Sequence, residues 1–190
     1  MLKRDKERTK QKIVNSAICE FMKKGFLEAS TLDIARNADV AHSTIFFYFP
    51  TKAELIISSI YSKLQKLGDK LDEESRTTTN VRKLCKIFLN EVRRNEKFYS
   101  RLVKELPLMP ISTQRVVFAS LSGFSVHFVD VIYKGQRAGK FRRFKPRIAI
   151  FFWFGMINYL YSYSKLLGTR KLKKKDLDEI IRFFTKSLKR

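Results

Sequence analysis

Glycine, proline, cysteine and histidine are all scarce in this 190-residue chain, which contains 7 Gly, 4 Pro, 2 Cys and 2 His. Because tight turns draw on Gly and Pro, their scarcity favours helices joined by short connections. Two cysteines outside any CxxC pair build no disulfide framework, so we expect a reducing compartment. The sequence also shows no alternating strand pattern, internal repeat or low-complexity segment.

The signatures of common enzyme sites are missing as well. The two histidines, His42 and His127, belong to no HExxH motif and pair with no cysteine at ligand spacing. Neither GxGxxG nor a Walker loop occurs, and no nucleophile, base and oxyanion donor can be combined into a site. We therefore expect no catalytic residue, no metal site and no cofactor, in a protein that is not an enzyme.

Long hydrophobic runs are also lacking. The least polar segment, residues 148–164, is uncharged, but it is shorter than the ~20 residues of a membrane-spanning helix and contains Asn158 with several Ser and Tyr. The N-terminal segment, residues 1–8, is rich in charged side chains and lacks the apolar core of a signal peptide. We expect a cytoplasmic protein that does not enter a membrane, with this segment buried at a core or subunit interface. A membrane-associated protein is the alternative, which solubility without detergent would exclude.

Positive charge is abundant. With 40 Lys and Arg against 18 Asp and Glu, the formal net charge is +22, which predicts attraction to polyanions. Residues 1–55 contain 10 basic and 7 acidic side chains, or +3, so residues 56–190 hold the other 30 basic and 11 acidic side chains, or +19. The basic second part is either a solvated surface that adds long-range attraction or a site for a second anionic partner.

Apolar residues recur at helical spacing and predict about nine helices. Capping boxes at Ser30 and Thr51 mark two helix starts, the second of which opens a long fourth helix. The predicted helices span residues 5–24, 31–38, 42–49, 52–74, 81–95, 96–106, 112–138, 146–168 and 176 onward. The expected fold is all-α, with a three-helix N-terminal domain at 1–55 that the fourth helix joins to a helical bundle at 56–190.

The second and third helices, packed by the longer first helix, have the outline of a helix-turn-helix. Asp39 lies in the turn between them, where the chain needs a residue that tolerates left-handed geometry. Ala41 offers no side-chain acceptor to the start of the third helix. Phe46 and Phe49 are expected in the small core of this domain. The apolar seam of the pair consists of Ile34, Ala35, Ala38, Val40 and Ile45.

A set of short motifs recurs in fixed order between Arg8 and Leu55: Gly25-Phe26, Ser30-Thr31, Ile34-Ala35, Val40, Ser43-Thr44, the aromatic run 45–49 and Thr51-Lys52-Ala53-Glu54-Leu55. In this order and spacing the segment resembles the DNA-binding region of TetR-family transcriptional regulators. It departs from the family pattern at Asp39, where glycine is usual, at Ala41, where a capping Ser is common, and at His42, which replaces a frequent Lys. Few Arg or Lys side chains are therefore available to contact base edges, and recognition of DNA by apolar contacts or by DNA shape is favoured.

The resemblance implies that a homodimer binds a palindromic operator in double-stranded DNA, with one third helix in each half-site. Side chains at helix N-termini would bind phosphate or base edges, and aromatic side chains would contact the backbone or thymine methyl groups. The implied DNA-binding residues are Ser30, Thr31, His42, Ser43, Thr44, Phe47, Tyr48 and Lys52.

For residues 56–190 the resemblance implies a domain that binds a small-molecule effector and dimerises through its last two helices. It rests there on GxFR at 139–142 and PxxA at 146–149. On helix eight, we expect the dimer face at Ile150, Phe154, Ile157 and Tyr161. Candidate effector-binding residues are the aromatic Phe88, Phe118, Phe124, Phe128, Trp153 and Tyr159. The basic residues Lys140, Arg142, Arg143, Lys145 and Arg147 are either a solvated loop or a site for the phosphate or carboxylate of an effector such as a fatty acyl-CoA.

These features predict a ligand-responsive regulator, a repressor that a small apolar or amphipathic effector releases from DNA. The alternative is an architectural or nucleoid-associated helical protein that coats DNA and takes no ligand. Salt-dependent binding to any DNA, without a preferred palindrome, would favour that alternative.

Overall fold

The computed structural model describes residues 2–163 and 173–189, and within these ranges the chain forms nine α-helices and no strand beyond an isolated Phe141–Lys189 bridge. The all-α prediction is confirmed. The predicted end of the eighth helix at Gly168 lies outside the described residues. The helices are α1 (Leu2–Lys24), α2 (Thr31–Asn37), α3 (His42–Tyr48), α4 (Lys52–Thr77), α5 (Val81–Arg94), α6 (Glu96–Glu105), α7 (Ile111–Arg137), α8 (Pro146–Tyr163) and α9 (Lys174–Ser187), with a 3-10 turn at Leu106–Leu108.

The chain divides into two compact units. Unit 1 contains Met1–Gln65 and Lys97–Ala119, and unit 2 contains Lys66–Glu96 and Ser120–Arg190. The helices α4 and α7 each contribute residues to both units, and nearly all of α6 belongs to unit 1.

The core of unit 1 is built on one stripe of α1. The short helices α2 and α3 bury only a few side chains each, Ile34 and Ala35 from α2 and Ile45 from α3. Because each is only seven residues long, most of its surface stays available for other contacts. The buried stripe of α1 consists of Ile13, Val14, Ala17, Ile18 and Phe21.

The core of unit 2 is aromatic. Trp153 of α8 is fully buried, with its ring 6.3 Å from that of Phe128 on α7 and 4.9 Å from that of Phe184 on α9. Phe88 of α5 and Phe154 of α8 complete the group with their ring centroids 5.1 Å apart. Four helices thus share one cluster of rings, which gives this unit its shape.

The helix α8 is apolar on all sides, and the predicted dimer face on it is wrong. Ile150, Ile157 and Tyr161 are buried within the protomer, and Phe154 packs against Phe88. A different set of α8 side chains is exposed. These residues form one stripe, since residues three, four and seven apart share one face of a helix. It consists of Ile148, Phe151, Phe152, Gly155 and Tyr159, with Phe151 and Phe152 71% and 72% exposed.

One helix in the described part of the chain, α7, is long and apolar enough to cross a membrane by length and composition. The same criterion is met by the core helices of many soluble proteins, so it is weak evidence by itself. Several α7 residues, among them Phe128, Val131 and Ile132, are fully buried inside the protein.

Candidate nucleic-acid interface

The N-terminus of α2 is capped by Ser30, whose Oγ accepts a hydrogen bond from the Leu32 amide at 3.1 Å. The predicted capping box is wrong, because Ser30 Oγ binds the Leu32 amide and not that of Asp33, and the Asp33 carboxylate accepts a hydrogen bond from Lys24 Nζ at 2.6 Å. That hydrogen bond holds the pKa of Asp33 below its ordinary value. The side chain of Lys24 therefore joins the end of α1 to the first turn of α2.

The turn between α2 and α3 has the geometry that the sequence predicts. Asp39 adopts a left-handed conformation with φ of 49°, and the Val40 amide donates to the Ala35 carbonyl at 3.1 Å. The residue before α3, Ala41, makes no side-chain hydrogen bond to the helix, as expected. Its carbonyl accepts from the Thr44 amide at 2.9 Å, so α3 begins with a tight backbone turn.

A polar contact joins the first turns of the two short helices. Thr31 Oγ1 and His42 Nε2 lie 2.9 Å apart, and the ring of His42 packs edge-on against Phe46 with centroids 5.1 Å apart. The prediction that Phe49 belongs to the core is confirmed, but the prediction for Phe46 is wrong, since it is 41% exposed. In a seven-residue helix only the stripe of Ile45 and Phe49 faces inward, and Phe46 turns toward the side chain one turn before it.

The outer face of α3 combines hydroxyl groups with aromatic surface. Ser43 is exposed, Thr44 and Tyr48 are half-buried, and Phe47 is 70% exposed with its ring edge-on to Tyr48 at 5.2 Å. Hydroxyl groups bind base edges or phosphate, and an exposed aromatic ring can cover a thymine methyl group. No Lys or Arg is present in α3, so this face is suited to neutral contacts in a groove.

Lys52 lies at the start of α4 and already has one partner. Its Nζ donates a hydrogen bond to the Leu27 carbonyl at 2.6 Å. Burial lowers the pKa of Lys52, and the nearby Glu105 carboxylate opposes that shift. Because an ammonium group has three donors, two remain for a phosphate. The Leu27 contact holds the ammonium group beside the loop between α1 and α2.

Sequence reasoning missed one residue of this region, Glu105, at the end of α6. Its Oε2 accepts hydrogen bonds from the amides of Phe26 and Leu27, which precede it by 79 and 78 residues. A contact over that distance leaves no periodic or motif signal in a single sequence.

Of the six predicted effector-binding residues, the structure brings three together. Phe88, Phe128 and Trp153 are buried in the ring cluster of unit 2, and Trp153 Nε1 has no hydrogen-bond partner within the described ranges. A buried indole N–H without an acceptor is energetically costly.

The other three predicted effector-binding residues differ in their surroundings. Phe124 is buried beside Gly68. Tyr159 is exposed on α8, with its ring 5.0 Å from that of Tyr163. Phe118 is exposed and belongs to unit 1.

Unit 2 also contains an apolar groove of about 390 Å³ with a basic edge. The predicted basic residues at 140–147 are all exposed, and Gln136 orders their backbone by donating to the carbonyls of Arg142 and Phe144 at 3.0 and 2.9 Å. Among the described residues no group of three or more His, Cys, Asp or Glu side chains could hold a metal ion. The groove is lined by Arg142, Phe144, Ile148, Ala149, Phe152, Met156, Phe183, Phe184, Ser187 and Leu188.

Two short helices about a left-handed turn, with hydroxyl and aromatic side chains on the outer face of the second, define the class as a helix-turn-helix DNA-binding protein. Comparison with known proteins narrows this class. Residues 13–58 match the family model described as "Bacterial regulatory proteins, tetR family". The chain is also 26% identical over 169 residues to the HTH-type transcriptional regulator TtgR of Pseudomonas putida, an alignment that covers 80% of each protein.

Solved structures share the whole fold. A putative TetR-family transcriptional regulator from Mesorhizobium loti superposes with a TM-score of 0.77 at 16% identity, over 97% of this chain and 98% of that one. The transcriptional regulator FadR from Bacillus subtilis, in complex with stearoyl-CoA, gives a TM-score of 0.77 at 17% identity, over 93% and 95%. These comparisons support a TetR-family transcriptional regulator, and the relatives they name are transcription factors, not enzymes.

Proposed function

We propose that this protein is a ligand-responsive transcriptional repressor that binds a palindromic operator as a homodimer. The observation that carries the proposal is the outer face of α3, where Ser43, Thr44, Phe47 and Tyr48 follow a turn set by Asp39. In this proposal residues 1–55 bind DNA, and residues 56–190 bind the effector and the second subunit in the cytoplasm.

Dimerisation follows from what one recognition helix can read. A single seven-residue helix covers too few base pairs for a tight site, whereas two copies related by a dyad read half-sites about one helical turn apart. The exposed stripe of α8, together with Phe183 of α9, is an apolar surface that a second copy would cover. Phe183 is 76% exposed in the protomer.

The effector that unit 2 supports best is apolar or amphipathic. The buried rings around Trp153 would pack against an apolar portion, and the unpaired indole N–H would bind an acceptor on it. The exposed basic residues at 140–147 would attract a phosphate or carboxylate. FadR from Bacillus subtilis, which shares the fold, was solved with stearoyl-CoA, so an acyl-CoA-like molecule is the first effector to test.

The effector would act by a shift of populations. The helix α4 is continuous from Lys52 at the DNA-binding face to Thr77 in unit 2. A change in the tilt of α4 in each subunit would therefore move the recognition helix α3 of that subunit. An effector that binds the tilted state more tightly lowers operator affinity in proportion to that preference.

Selection of bound fragments from genomic DNA by the purified protein tests this function. We expect a palindrome to be enriched, and stearoyl-CoA to weaken binding to it while changing the emission of Trp153, the sole tryptophan in the chain. Enrichment of no sequence, with affinity that depends only on salt, would instead support an architectural DNA-coating protein. The charge of +19 on residues 56–190 is the observation that keeps this second function in view.

A further inference from the structure

The end of α6 makes polar contacts with the loop between α1 and α2. Glu105 Oε2 accepts hydrogen bonds from the Phe26 amide at 2.7 Å and the Leu27 amide at 3.1 Å. Arg101, one turn earlier, donates from Nη1 to Glu105 Oε1 and from Nη2 to the Lys23 carbonyl, both at 3.4 Å. Charge-assisted hydrogen bonds of this kind are about twice as strong as neutral ones.

The loop is shaped to admit this carboxylate. Gly25 has φ of +100°, and a Cβ built on it would lie 2.5 Å from Glu105 Oε1 and 2.9 Å from Oε2. Only a residue without a side chain combines this backbone conformation with so close an approach. Below the loop, Phe26 is fully buried and its ring meets Phe98 of α6 edge-on at 5.3 Å.

Two residues of the α1–α2 loop, Leu27 and Ser30, connect to the proposed DNA-binding face. Ser30, the N-cap of α2, lies three residues after Leu27. The Leu27 carbonyl accepts from Lys52 Nζ at 2.6 Å, so the same residue that donates to Glu105 also holds the first side chain of α4. One short segment therefore sets the places of two residues expected to bind phosphate.

We propose that Glu105 is a positioning residue for DNA binding, which holds the α1–α2 loop so that Ser30 and Lys52 face the DNA backbone together. The inference rests on the proposed DNA-binding function and extends the DNA-binding unit beyond the helix-turn-helix to the end of α6. Glu105 itself touches no DNA in this account. It acts through Phe26, Leu27 and Lys52.

The direction in which DNA affinity changes when Glu105 is replaced distinguishes a positioning role from the loss of a negative charge alone. Removing any one negative charge from a DNA-binding protein strengthens its attraction to phosphate. Loss of the Glu105 contact instead frees the loop and weakens binding. Glu28, an exposed acidic residue on the same loop, provides the matched control.

The test compares Glu105→Ala, Glu105→Gln and Glu28→Ala in the full chain. Amide exchange at Phe26 and Leu27, followed by NMR, reports the hydrogen bonds without any DNA. Glu105→Ala should lower their protection about ten-fold or more, whereas Glu105→Gln keeps an acceptor oxygen and should stay within about three-fold of wild type. Anisotropy of a labelled duplex carrying the selected palindrome should show a dissociation constant about five-fold or more higher for Glu105→Ala, with Glu28→Ala equal or tighter.

Several outcomes would overturn the proposal. One is a Glu105→Ala variant that loses amide protection but binds DNA like wild type, and another is a Glu105→Gln variant that is as defective as Glu105→Ala. Gly25→Ala, which pushes the loop off the carboxylate, should add little to the DNA-binding defect of Glu105→Ala, and full additivity would count against a shared contact. A wild-type protein that binds no DNA would refute the proposed function instead. The amide-exchange data would still report the Glu105 hydrogen bonds, because they are measured without DNA.

Discussion

Replacing Gly155 with arginine separates the proposed subunit interface from the stability of the protomer. Gly155 lies in the middle of the exposed stripe of α8, and a Cβ built there meets no atom within 4 Å. Arginine has a much higher helix propensity than glycine, so the variant should stabilise the helix of the isolated protomer by about 0.5–1 kcal/mol.

The dimer should respond in the opposite direction. If two copies of α8 pack through this stripe, Gly155→Arg places two guanidinium groups in an apolar interface, and each buried ion costs several kcal/mol without a partner. A combined cost of about 4 kcal/mol would raise the dimer dissociation constant about a thousand-fold. Gly123→Arg on α7 is the matched control, because Gly123 is also an exposed helical glycine with open space around it.

Sedimentation equilibrium over a wide range of protein concentrations measures the dimer dissociation constant. Circular dichroism on heating measures the helix content and thermal stability of the protein. We expect Gly155→Arg to be a folded monomer where wild type and Gly123→Arg are dimers. Equal dimer constants for all three proteins would refute the α8 interface. Equal weakening by both substitutions would show that added positive charge, not position, is responsible.

Three further predictions concern buried residues. Phe128→Ala removes a fully buried ring of unit 2 and should lower the free energy of unfolding by about 3–5 kcal/mol. Phe47→Ala, at an exposed position of α3, should change it by less than about 0.5 kcal/mol. Urea titration measures both values, and similar losses for the two variants would contradict the assigned core. Burial raises the pKa of the Cys85 thiol well above its ordinary value, so a thiol reagent should modify the exposed Cys19 in the native protein and reach Cys85 only after unfolding. Since the unfolded chain then loses this thiol proton at lower pH than the folded one, the free energy of unfolding should fall as pH rises past about 8.5, and Cys85→Ala should make that slope shallower.

Local chemistry explains what the sequence predicted well. Gly25, Ser30, Asp39 and Thr51 each set a backbone conformation or a cap through their own covalent structure, so the helices of the DNA-binding region began and ended close to where those residues predict. The fully buried seam residues Ile34 and Ile45 also followed from spacing alone.

What the sequence could not predict depends on tertiary packing. Because α8 is apolar on every side, its periodicity does not tell which face turns inward, and the stripe chosen from sequence proved to be the buried one. In α3, Phe46 looked like core by composition, but a seven-residue helix has room for a single buried stripe. Glu105 meets Phe26 across 79 residues of chain, a distance at which no local pattern operates.

In the proposed complex with DNA, the outer face of α3 reads base sequence while Lys52 binds the DNA backbone. This arrangement is tested most directly by measuring dissociation constants for the selected palindrome and for a scrambled duplex, at several salt concentrations, with Thr44→Ala, Tyr48→Ala and Lys52→Ala. We expect Thr44→Ala and Tyr48→Ala to lower the preference for the palindrome by about ten-fold. Lys52→Ala should weaken binding to both duplexes alike and make the salt dependence shallower by about one phosphate contact. Equal losses on both duplexes for Thr44→Ala and Tyr48→Ala would contradict this arrangement.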